Sequence, residues 1–150
     1  MIIIPNSKPL KHDDSSAFEF VKDMLKNDVT YAINFDRIQW DNKEEKYVIV
    51  EYLLCKEEQT VTPYTSHPNN YFYKNSMKFI SLWELTRELE AKLYLVNYAK
   101  KGTEHENKVK VMLVENVDRE SNNPVETKDH NTNRENFSKW FRSLNERGKR

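Results

Sequence analysis

The sequence predicts one α/β domain, a mixed four-stranded central sheet flanked by helices. Three observations predict it. The elements run helix, strand, strand, helix, strand, strand, helix, an order that closes into layers around one sheet. Tyr47 to Cys55 is an almost unbroken apolar run, as a strand covered on both faces requires. Phe137, Trp140, Phe141 and Leu144 recur at i, i+3, i+4 and i+7, the stripe of a helix packed on one side.

Residues 1–14 read as an N-terminal arm, with a short strand at 2–4. Ser16-Ala17-Phe18-Glu19 has the capping-box form, and Phe18, Val21 and Leu25 continue a helix to about residue 27. Val29 to Trp40 is rich in β-formers, and Asp41-Asn42-Lys43 reads as the turn into the apolar run, so the two strands make a hairpin. Residues 57–74 form a long loop with Pro63, Pro68 and several aromatics, a length often kept for function. Asn75 or Ser76 caps a helix to about Ala91, packing through Phe79, Leu82, Trp83, Thr86 and Leu89. Strands follow at Lys92–Ala99 and Lys108–Asn116. The core thus spans 16–116, residues 117–131 are expected to be a polar flexible loop, and 132–150 a basic C-terminal helix.

Composition removes several functions. The chain has 150 residues and only two glycines, Gly102 and Gly148, so no glycine-rich phosphate loop can form. The 24 basic and 24 acidic side chains cancel, and net charge gives no vote for nucleic acid. Locally, 128–150 carries seven Lys/Arg against three acids, a helix that could touch phosphates or simply face solvent. Cys55 is alone, which excludes an internal disulfide and suits a cytoplasmic protein. With one cysteine and scattered histidines, a structural zinc site is not expected. No membrane span and no signal peptide are expected.

Two acids stand out. Glu51 interrupts the apolar run, where an ionised carboxylate is costly unless paired or bound to a cation. Asp36 does the same in the preceding β-rich stretch. If the hairpin sets both on one face, their oxygens can converge on magnesium or manganese, a hard cation that polarises a phosphate and activates water. The ordinary alternatives are an ion pair for Glu51 and a solvent-facing edge position for Asp36.

The pieces Phe18-Glu19-Phe20, Phe35-Asp36-Arg37-Ile38 and Val48-Ile49-Val50-Glu51-Tyr52-Leu53 resemble the PD-(D/E)XK nuclease superfamily over residues 16–116. The resemblance implies a restriction-endonuclease-like core, with Asp36 and Glu51 as metal ligands and Glu19 as an accessory acid. Helix capping alone also explains Glu19. One residue departs from the pattern: the family's lysine would lie two residues past the strand Glu, and Leu53 stands there. Lys78, early in the middle helix, is the first substitute and Lys56 the second, although its strand parity opposes Glu51.

In the long loop, His67 is a candidate phosphate or water contact. Tyr64, Tyr71, Phe72 and Tyr73, beside Lys74, could stack on bases, or fold back as a lid over the sheet edge. His67, Tyr71 and Lys74 are therefore the candidate substrate contacts. The sequence leads to a metal-dependent nuclease-like protein acting on nucleic acid. The alternatives are a catalytically inactive nuclease-like fold that binds protein or DNA, and an interaction protein, such as a homodimer formed through the aromatic final helix.

Overall fold

The computed structural model describes residues 16–149 and divides into two units, residues 16–33 and 34–149. The expected arm at 1–14 lies outside the described residues. The first unit contains α1 (Ser16–Leu25), in which Glu19 sits in the first turn and the Lys22 ammonium lies 5.6 Å from the Phe18 ring centre. Lys26, at φ 55°, ends it in the left-handed region.

The second unit holds the sheet. Its strands are β1 (Arg37–Asp41), β2 (Lys46–Leu54), β3 (Lys92–Tyr98), β4 (Val109–Val117) and β5 (Val125–Thr132), in that spatial order. Only the β2–β3 pair is parallel. It is parallel because α2 (Ser76–Glu88) lies in the connection and carries the chain back to the same end. Glu90, at φ 51°, then turns the chain from α2 toward β3.

β2 is buried on both faces, as its composition requires. Ile49 and Leu53 join Phe72, Phe79, Leu82, Leu93, Leu95 and Met112 beneath α2. Val48 and Val50 point the other way, toward Val96, Val109 and Leu144. That second face is covered by α3 (Arg134–Glu146), whose Phe137 and Trp140 pack on it as the stripe predicted. Asn133 caps α3 by accepting the Asn136 amide at 2.8 Å.

Two expectations change. The sheet has five strands, because the polar segment expected to be flexible contains β5. Of β5, only Val125 is buried. Its order comes from pairing with β4 and from the long loop. There the Asn69 side-chain amide both donates to the Val125 carbonyl and accepts its N–H, at 3.1 and 2.8 Å. Such support is tertiary, and no hydrophobic alternation announces it. The first strand is also shorter than its β-rich sequence: it begins at Arg37, and Asp36 sits at a bend just before it. Among the described residues, no helix is long and apolar enough to cross a membrane.

Candidate active site

Asp36 and Glu51 meet at the open end of the β1–β2 hairpin. Alternation along β2 sets Glu51 on the α2 side with Ile49 and Leu53, and the residue is only 5% exposed. Asp36 reaches it from the bend: its Oδ2 accepts the Tyr52 amide at 2.9 Å, and the two carboxyl groups are hydrogen-bonded to each other. From α2, the half-exposed Lys78 brings its Nζ to 3.8 Å from Glu51 Oε2. Three residues singled out from the sequence are therefore brought together.

Their electrostatics follow from this contact. Burial, then the Asp36 hydrogen bond, push the Glu51 carboxyl up to about 8; the Asp36 charge adds to this and Lys78 offsets part. Burial also acts to raise Asp36. The hydrogen bond from Glu51, the Tyr52 amide and the Lys78 charge outweigh it, and the group ends below its ordinary value. At neutral pH the pair thus shares one proton, with Glu51 donating and Asp36 ionised.

Two adjacent carboxyl groups fit a hard divalent cation, which takes oxygen donors and commonly only one or two protein carboxylates, with waters or phosphate completing its shell. Among the described residues, no group of three or more His, Cys, Asp and Glu could hold a metal.

Leu53 is 8% exposed and packed in the core beneath α2. A lysine placed there would drive a cation into that core rather than into a waiting space. Lys56 is exposed just past the end of β2, and its amide bonds the Gln59 side chain at 2.9 Å. Glu19 belongs to the N-terminal unit.

The loop residues are placed elsewhere. His67 Nδ1 accepts the Asn69 amide at 3.1 Å and Nε2 meets Thr127 Oγ1 on β5 at 2.9 Å. β5 lies three strands from β2, roughly 14 Å away at the usual strand spacing. Burial lowers the His67 pKa. Tyr71 packs on Phe79, and burial with the nearby Cys55 pushes its hydroxyl up to about 12. Tyr64 donates to the Thr132 carbonyl at 2.7 Å, and Phe72 is buried. Most of the loop aromatics thus fold back over the sheet. Tyr73, 77% exposed, and its neighbour Lys74 face solvent.

The sequence reading missed a second polar group on the same face. Lys110, 5% exposed, donates to the Tyr64 carbonyl at 3.2 Å and lies 3.9 Å from Asp129. Asn97 beside it donates to the Pro63 and Ser66 carbonyls, and its Oδ1 has no partner. The signal was present: both residues interrupt apolar strands just as Glu51 does. Two cavities, of about 430 and 550 Å³, lie on the opposite face beside α3. Tyr94, Trp140, Tyr52 and Phe141 line them together with the basic side chains of Lys128, His130 and Arg134, and no carboxylate does.

No family model, curated protein or solved structure matches the chain.

Proposed function

We propose that the protein is a PD-(D/E)XK-like, magnesium- or manganese-dependent phosphodiesterase acting on nucleic acid, with a restriction-endonuclease-like core. One observation carries this reading: Asp36 and Glu51 are in contact, with the Lys78 ammonium beside them. The Glu51–Lys78 pair alone leaves the second acid, Asp36, without a role.

Asp36 and Glu51 would hold the cation, which supplies charge to the scissile phosphate and lowers the pKa of a bound water. Lys78 takes the part of the displaced family lysine. Freed from Glu51, its Nζ can turn to a phosphate oxygen and hold it in place, because its long stem is half in solvent. Asp36 is oriented for this by the Tyr52 amide, a backbone donor that side-chain substitution elsewhere leaves intact. Lys74 and Tyr73 stand exposed just before α2 and are available to a strand of nucleic acid.

The test is cleavage of single- and double-stranded DNA and RNA with manganese, for wild type, Glu51→Gln, Asp36→Asn and Lys78→Met. The wild type should cut at least one substrate, and each variant should lose about 100-fold or more. If the wild type binds no manganese and cuts nothing, the proposal fails.

Leu53 favours a second reading, a catalytically inactive nuclease-like fold that binds DNA or protein. On this reading, substrate binding survives Glu51→Gln and no condition elicits cleavage.

A further inference from the structure

The cover that α3 gives the sheet is incomplete at one end. Val48 and Val50 join Leu144 in the core beneath it, while Tyr52, next on the same face of β2, borders a cavity of about 550 Å³. Val96 and Val109 form its floor, and Tyr52, Tyr98, Phe137 and Phe141 its walls. On the helix, Arg134, Phe137, Ser138 and Phe141 recur at i, i+3, i+4 and i+7, so one stripe of α3 faces this end. That stripe is apolar only in part, which is why a space remains. Ser138 is small, and the Arg134 side chain is held by the β3–β4 connection instead of folding in.

Arg134 donates to the Glu106 and Ala99 carbonyls at 2.5 and 2.7 Å. These acceptors fix the guanidinium without neutralising it. Among the described residues, no carboxylate forms an ion pair with it. Its remaining N–H donors are free for another acceptor. Arg134 is the one charged side chain lining the cavity, and it opens α3, where the partial positive charge of the helix adds to its own. The walls offer ring contacts. Phe137 and Phe141 stand edge-to-face, with centres 5.3 Å apart at 82°, and Tyr52 and Phe141 6.4 Å apart at 70°. Another ring can join such a set by the same edge-to-face or offset contacts.

We propose that this cavity binds a small, flat aromatic carboxylate, its ring among the four aromatic walls and its carboxylate on the free donors of Arg134. A planar carboxylate matches the fork of a guanidinium, and one negative charge matches the one cation present. The volume lies in the usual range for small-ligand sites, roughly 300–1,000 Å³. Because the guanidinium is already fixed by two carbonyls, little ordering is left for the ligand to impose. The site lies across the sheet from Asp36 and Glu51 and does not depend on them.

The experiment is calorimetry of the full chain with 2-naphthoate, its neutral amide 2-naphthamide, and uridine 5′-monophosphate. The wild type should bind 2-naphthoate at a single site and the amide about 10-fold more weakly, since the amide lacks the charged contact. Arg134→Gln should bring the two probes to the same affinity. Ser138→Trp, at an exposed position, fills the space and should abolish 2-naphthoate binding with an unchanged melting temperature. Glu51→Gln should bind 2-naphthoate as the wild type does. Equal affinity of the wild type for acid and amide overturns the proposal, as does binding retained in Ser138→Trp or lost in Glu51→Gln. Tighter binding of the nucleotide than of 2-naphthoate overturns it too, by assigning the cavity to a phosphate ligand. So does the absence of any binding at millimolar 2-naphthoate.

Discussion

The two ends of one hairpin bury an acid each, and they treat it in opposite ways. At the turn, Asp41 is 1% exposed. It accepts the Lys43 and Glu44 amides at 2.9 and 3.3 Å and the Arg147 guanidinium at 2.9 Å. Burial acts to raise its pKa, but these donors outweigh it and leave the carboxyl lowered. At the open end, Glu51 is as deeply buried, yet its nearest partner is another acid and its one cation stands 3.8 Å away. Its carboxyl is raised. Burial is thus no mark of a site by itself. A buried acid held by a full set of donors is a structural group, whereas one whose nearest partner is a second carboxyl and whose pKa is raised marks the candidate site.

The largest effect expected from this contrast is on stability at the turn. Arg147→Ala leaves Asp41 buried without its cation and should cost about 3 kcal/mol in urea unfolding. A loss under 1 kcal/mol would make the Asp41 end no better satisfied than the other. Glu51→Leu should act in the opposite direction. It removes a poorly paired buried carboxyl and should stabilise the metal-free protein by about 1–2 kcal/mol, while abolishing manganese binding. Destabilisation by the same amount would show Glu51 to be a structural residue.

The pH dependence should separate the ends by sign. Asp41 has a folded pKa below its unfolded one. Its contribution is present above about pH 3.8 and drains away as pH falls through the depressed folded value. Glu51 has a raised folded pKa. Its contribution is full below about pH 4.5 and is lost as pH rises to about 8. In EDTA, Asp41→Asn should flatten the acid limb of a stability–pH curve and Glu51→Gln the neutral limb. The reverse assignment would sink the comparison. The smallest effect belongs to His67→Phe, which loses the bonds to Asn69 and Thr127. About 1 kcal/mol of stability should go, with manganese-dependent cleavage unchanged.

What was legible in the sequence follows the same division. Periodicity located β2, α2 and α3, because each buries a regular apolar face. Glu51 was visible as a charge inside such a run, and Lys78 as a lysine at the start of the helix covering it. β5 was hidden, since polar residues that pair by backbone bonds leave no pattern of their own. The early end of β1 was hidden for a related reason: propensity favours a strand back to Val29, and the bend at Asp36 is held by a side-chain bond to the Tyr52 amide that no pattern announces. Tyr52's part was invisible in principle, because every residue but proline carries the same N–H. Lys110 and Asn97 break apolar strands in the same way as Glu51, but their partners are loop carbonyls that no sequence spacing announces.

Asn69 has one more consequence. Its side-chain amide meets the Val125 peptide with a donor and an acceptor together, the same two-point grip a neighbouring chain would use to stack onto the sheet. An outside chain arriving at that border therefore finds the first handhold already occupied by a carboxamide of the protein's own fold.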